Sequence, residues 1–221
     1  MMINKNLFYK LESELIKRGL DSDYHTFNEI KYTLKTQPKF SPVELVKEIA
    51  YVILVSGFRQ SIAKKKHKEI FNYLESIENV DEKILYEIFN GKKTTFILDL
   101  WNKKEQLQKD FYNTNDKKTF LLNIKGIGNI TIGHLVRNLG LDANSVKYDI
   151  HIQRLGCALY GENTEKINNG NLHKDIKFVC DKMFDFIVNE TGEMKGYIDV
   201  VLFKSCAEGL IKIENNKVSF S

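Results

Sequence analysis

The chain has 221 residues, 43% of them hydrophobic and 28% charged, with 33 basic against 29 acidic side chains and a formal charge of +4. That is enough chain for one compact unit or two small lobes with a real core. A uniform basic coat is excluded, so a polyanionic partner would have to be met by positive charge gathered locally.

The opening stretch, MMINKNLFYKLESELIKRG, is mixed and charged and lacks the apolar core of a signal peptide; no window approaches the length of a membrane span. The expectation is a cytoplasmic protein with no membrane partner. Prolines stand only at 38 and 42. The pattern reads as all-α, with strand-like alternation confined, if present, to the C-terminal tail. Ser41, Pro42 and Glu44 form a helix start, with serine as cap, proline in the first turn and glutamate reaching back. The helix they open, through Ile49, Val52, Ile53 and Leu54, is apolar nearly all round and belongs in a core. A lysine-rich amphipathic helix over 62–78 follows, holding Lys64, Lys65, Lys66 and Lys68; such a run serves either as a solvated face or as a phosphate contact. Shorter helices are expected over 81–89, 95–111 and 116–123.

Gly126 and Gly128 then bracket Ile127, and a second periodic run follows with Ile132, Leu135, Val136 and Leu139. This is helix, tight turn, helix, with the hairpin over about 116–139. Glycine at 126 and 128 permits positive φ and close backbone approach. The amides of such a turn, with those opening the next helix, point outward together and favour an anion such as a DNA phosphate. A plainer use of the same turn is to fold one core helix onto another.

Asp149, in VKYDIHIQRL, sits where a new amphipathic helix begins, since Ile150, Ile152 and Leu155 follow it. Capping is one sufficient reason for it. A carboxylate fixed there by backbone hydrogen bonds and the helix dipole is also a fixed negative charge. Beside a gripped DNA strand that charge is out of place unless chemistry develops positive charge nearby, as breaking an N-glycosidic bond does. Helices over about 149–160, 172–190 (stopped by Gly192) and 196–210 complete the chain. Cys157, Cys180 and Cys206 lie far apart, each among apolar neighbours, and read as small core residues rather than a metal site or disulfide framework.

The segments IKGIG, GHLVRNLG and DIHIQR resemble the helix-hairpin-helix DNA glycosylase superfamily, and within it the archaeal-type 8-oxoguanine glycosylases. EIAYVILVSGFRQSIAKKKHKEIF is similar to their long buried helix and wedge loop, and YIDVVLFKSCAEGLIKI to their C-terminal helix, so the resemblance spans about 41–213. It implies two helical lobes with an active cleft between them: a central lobe over 41–144 with the hairpin, and a second built from 1–40 and 145–221. It also implies double-stranded DNA with a damaged base as partner, a monomer, and Asp149 as the catalytic residue. DNA contacts fall to Lys125, Gly126, Ile127, Gly128, Ile130 and His134 at the hairpin, and to Arg59 and Gln60 opposite an extruded base. Phe58 is placed as a wedge, and Tyr148 and Phe203 as pocket walls. For each aromatic, ordinary core packing is the competing use; for His134 and His151 it is a structural or phosphate-facing role.

One departure from the pattern matters. Bifunctional members carry a lysine two residues after the second hairpin glycine, and here that position is Ile130. Isoleucine forms no Schiff base, so the resemblance implies hydrolysis by an activated water, with a modified purine the favoured substrate and little lyase activity. Lys125 and Lys147 are the neighbouring lysines, each with phosphate contact or a solvated charge as its plainer role. A bifunctional enzyme with a displaced lysine and a non-catalytic DNA-binding protein stay open as alternatives. Three cysteines cannot build the four-cysteine iron-sulfur loop of some relatives, so no cofactor is expected, with only a monovalent cation at the hairpin left open.

Overall fold

The computed structural model describes residues 2–22, 24–56, 60–89, 91–162, 164–167 and 172–221. Contacts divide the chain into two compact units, Pro38–Leu135 and Met1–Gln37 with Val136–Ser221. The sequence reading, which took the hairpin as one piece, put the boundaries at 41 and 144; the second bound in the structure falls at 135, inside a helix.

In the N-terminal part, two helices form that charge patterning alone did not announce, α1 (Lys5–Lys17) and α2 (Phe27–Thr36). Both are capped from their own sequence. Asn4 accepts from the Leu7 amide, and Thr26 and Glu29 form a reciprocal capping box.

The unit Pro38–Leu135 is built on α3 (Pro42–Val55), which opens with the Ser41/Glu44 capping box and is buried at nearly every position from Leu45 to Val55. The hydrogen bonds of that box hold the Glu44 carboxyl below its usual range. Around α3 stand α4 (Gln60–Ser76), α5 (Glu82–Ile88), α6 (Lys92–Asn102), α7 (Lys104–Asn113) and α8 (Lys117–Leu122). The single helix expected over 95–111 is two, broken at Lys103, whose amide turns back to the Leu100 carbonyl at 3.3 Å. The break lets α6 and α7 each lie against α3, one through Ile97, Leu98 and Leu100 and the other through Phe111. Helix α9 (Thr131–Asn138) follows the hairpin turn and leads out of this unit.

The other unit packs α1 and α2 with α10 (Ile150–Tyr160), α11 (Lys174–Thr191) and α12 (Lys195–Ala207). A short 3-10 turn, Thr164–Lys166, lies between α10 and α11. The core is a continuous apolar cluster that includes Phe8, Leu11, Ile152, Leu155, Met183, Phe184 and Leu202. One polar group inside it is shared: Tyr197 donates to Glu12, and Lys31 lies 3.2 Å from Glu12 and 3.0 Å from Glu193, tying α1, α2 and α12 together. The C-terminal tail forms a two-stranded antiparallel hairpin, β1 (Ile211–Glu214) with β2 (Lys217–Phe220), in the register Ile211 to Phe220 and Glu214 to Lys217. Its two-residue turn, Asn215–Asn216, has φ of 49° and 59°, the left-handed geometry that matches strand twist. Among the described residues no helix is long and apolar enough to cross a membrane.

Candidate active site

In the unit Pro38–Leu135 the hairpin turn divides its work between its two glycines. Gly126 has φ of +94°, and a Cβ there would come within 3.2 Å of Ile53 and of Phe96, so both conformation and packing require glycine. Gly128 is different. Its φ is ordinary and a Cβ would meet nothing within 4 Å, so the expectation that it needs positive φ does not hold. Gly128 instead starts α9. Its carbonyl accepts from the Ile132 amide at 2.9 Å, and its own amide donates to the Thr131 hydroxyl at 2.8 Å, as an N-cap amide does to an N3 side chain. The amides of Asn129 and Ile130, in the turn that leads into α9, make no hydrogen bond among the described residues. Lys125, Gly126 and Gly128 are exposed, Ile130 is half-buried and Ile127 is buried. The turn therefore offers outward amides with a lysine beside them.

His134 does not belong to that exposed set. It is 5% exposed and packs edge-on against Tyr51, 5.9 Å between ring centres, because it lies on the inward face of α9 with Leu135. Gln60 is the first residue of α4 and is half-buried. Phe58 and Arg59 lie outside the described residues.

In the other unit, Asp149 is the N-cap of α10. Its Oδ1 accepts the His151 and Ile152 amides at 3.0 and 3.1 Å, and its Oδ2 lies 3.9 Å from Lys147 Nζ. The side chain is 14% exposed, so the carboxylate is restrained yet still reaches solvent. Two aromatic groups flank it. Lys147 Nζ stands 5.7 Å from the centre of the Phe203 ring, and His151 meets that ring edge-on at 5.6 Å. The structure thus gathers Lys147, Asp149, His151 and Phe203 into one cluster, with cation, carboxylate and half-buried aromatic face side by side. Tyr148 turns away from it: its hydroxyl donates to Asp181, which Lys177 also contacts at 2.5 Å, and its ring packs edge-on to Phe184. Burial and the Asp181 charge push the phenol well above its usual range, so it serves as a neutral donor.

Two residues that the sequence reading passed over support the segment carrying Asp149. Arg137, on α9, and Asp199, on α12, form a buried ion pair, and Asp199 also accepts the Lys147 amide at 3.1 Å. Burial raises the Asp199 carboxyl to about 6 against the pull of Arg137, with the Asp149 charge adding to the rise. A visible signal existed, since Asp199 is a lone carboxylate in the apolar run YIDVVLF. Its partner, 62 residues upstream, had none. Cys157 and Cys180 are buried, as small core residues should be, and Cys206 is partly so; burial first and the Asp149 charge second push the Cys206 thiol up to about 12. Among the described residues no group of three or more His, Cys, Asp or Glu is arranged to hold a metal ion.

No protein-family model matches the chain, and no curated protein matches it. Solved structures do. An 8-oxoguanine glycosylase/lyase of Methanocaldococcus jannaschii, in complex with a 15mer DNA containing 8-oxoguanine, superposes with a TM-score of 0.64 at 22% identity, over 92% of this chain and 98% of that one. The 8-oxoguanine DNA glycosylase of the same organism, in a second structure, gives 0.63 at 24% identity over 92% and 94%. An 8-oxoguanine glycosylase/lyase of Clostridium acetobutylicum, bound to double-stranded DNA with cytosine opposite 8-oxoguanine, gives 0.54 at 16% identity over 90% and 76%. The chain therefore has their all-α fold, carried nearly end to end despite low sequence identity.

Proposed function

We propose that the chain is a DNA glycosylase of base-excision repair, hydrolysing the N-glycosidic bond of a flipped-out damaged or mispaired base, with a modified purine favoured. The observation that carries this reading is Asp149: one oxygen is fixed by two backbone amides and the other lies 3.9 Å from Lys147 Nζ, with Lys147 and His151 both against the Phe203 ring. A glycosidic bond cannot be attacked within the stacked duplex, so the nucleotide must rotate out. As the base leaves with the bonding electrons, the sugar gains oxocarbenium character. Asp149 Oδ2 would stabilise that charge, orient a water and take its proton. The amides of the turn and Lys125 would hold a neighbouring phosphate, and a monovalent cation held by the turn would add positive charge there. Lys125, Gly126, Ile127, Gly128, Ile130 and Gln60 stay in the proposed DNA-contacting set, and the burial of His134 favours a structural role for it.

Ile130 offers no amine, which favours hydrolysis over an imine pathway. A second reading has one specific observation behind it. Lys147 places a primary amine 3.9 Å from the Asp149 carboxylate, which would bring it near a sugar that Asp149 faces. The two readings part on one experiment, a panel of duplexes carrying 8-oxoguanine, alkylated purines, uracil, hypoxanthine and mismatches. 8-Oxoguanine heads it because the structural neighbours are named for that base. Free base without strand breaks and without borohydride trapping supports hydrolysis; trapping that vanishes in Lys147→Ala supports the amine. No free base from any duplex leaves a non-catalytic DNA-binding protein.

A further inference from the structure

We propose that Asp199 is a positioning residue for Asp149: with Arg137 it pins the turn that delivers Asp149 to the head of α10, and it sets a second, buried negative charge behind that carboxylate. The inference rests on the reading of Asp149 as the reacting carboxylate.

The pinning is visible at successive points. Asp199 is 1% exposed, and its Oδ2 takes both the Arg137 guanidinium and the Lys147 amide, the latter at 3.1 Å. The Lys147 carbonyl then accepts the Asp149 amide at 2.8 Å, so two hydrogen bonds separate Asp199 from the backbone of Asp149. One turn earlier on α12, the Gly196 amide donates to the Ala143 carbonyl at 2.8 Å. A Cβ on Gly196 would lie 3.0 Å from the Ser145 carbonyl and 3.1 Å from that of Ala143, so the turn lies directly on the helix backbone. The first turns of α12 therefore hold the segment 143–149 from end to end.

The charge needs its own explanation. Asp199 Oδ1 has no hydrogen-bond partner among the described residues. A bare oxygen on a buried carboxylate is costly, but an asparagine there would leave its own NH2 without an acceptor and the buried Arg137 guanidinium without a counter-charge. Other charged and titratable groups act on Asp199 or feel it: Arg137 and Lys147 draw its charge, Asp149 opposes it, and Tyr148 and Cys180 sense it. Burial, with Asp149 adding to it, holds the Asp199 carboxyl at about 6. Because the Asp149 charge is one cause of that rise, removing it should let the Asp199 carboxyl fall.

The test uses the intact chain and carboxyl 13C NMR through a pH titration. In Asp149→Asn, where the amide still caps α10, the Asp199 midpoint is expected to fall by several tenths of a pH unit. An unmoved midpoint in the folded variant overturns the proposal. On a duplex from which the wild type releases base, Asp199→Asn should slow single-turnover release while Asp199→Glu, which keeps the charge, restores part of it, a rescue that a merely structural role would not give. Should Asp199→Asn fail to fold, the Asp149→Asn arm still reads the coupling. Absence of base release by the wild type would count against the glycosylase reading alone, because the NMR arm still decides the coupling.

Discussion

One oxygen of Asp149 caps α10 and the other lies 3.9 Å from Lys147 Nζ, and that division determines what a substitution does. Asparagine keeps an oxygen for the His151 and Ile152 amides, so Asp149→Asn should fold and bind lesion DNA as the wild type does. Loss of the charge that faces the sugar should slow single-turnover base release by ~100-fold or more, the scale of other preorganised electrostatic groups. Base release at the wild-type rate would falsify the assignment. Ile130 makes a complementary case. It is half-buried in the turn just before α9, at the position where the resemblance puts a reactive amine in bifunctional enzymes. Ile130→Lys should therefore gain borohydride trapping on a duplex the wild type processes. A variant that folds and cleaves but is never trapped would mean that the position does not face the sugar.

At the scale of elements, the two hairpin glycines should part company. Gly126→Ala must adopt φ near +94° and place a methyl within 3.2 Å of Ile53 and Phe96. Backbone strain of that kind costs roughly 1–3 kcal/mol. Gly128→Ala meets no such conflict and should lose under about 1 kcal/mol, the difference between glycine and alanine at an N-cap. Urea unfolding of the two variants checks the contrast, and equal losses would sink it. The sequence could not separate these positions, since both read as glycine in a turn; what distinguishes them is the packing of Ile53 and Phe96, brought in from two other helices. Caps were easier to read, because Ser41 with Glu44 and Asp149 before Ile150 are local patterns, and each begins the expected helix. The break at Lys103 carries no proline or glycine and arises where two helices share one face of α3. The C-terminal hairpin was hard to see because its four-residue strands owe their place to packing against α10 and α12. The lone carboxylate Asp199 stands out in its apolar run, but its pairing with Arg137, 62 residues away, is set by packing and leaves no local pattern.

For the molecule as a whole, the buried Asp199 should leave a mark on stability. Its carboxyl stands at about 6 in the folded chain against an ordinary 3.8. Because the folded value is the higher one, its contribution favours the fold fully below about pH 4 and is lost as pH rises through about 6. A difference of about two pH units corresponds to about 3 kcal/mol. Carboxyls held below their usual range act in the opposite sense. Glu44, bonded to Ser41, and Asp116, bonded to Thr119, contribute above their ordinary values and lose that contribution as acid protonates them. Wild-type stability should therefore rise as pH falls from 7 to 5 and drop again toward 3. In Asp199→Asn the rise should shrink while the acid drop persists, since every other titrating group is common to both proteins. Urea unfolding followed by circular dichroism at pH 7, 6, 5, 4 and 3 supplies the comparison. If both proteins gain equally between 7 and 5, Asp199 ionises in the fold as freely as in the unfolded chain, and its raised titration, together with the charge it is proposed to present to Asp149, is lost with that result.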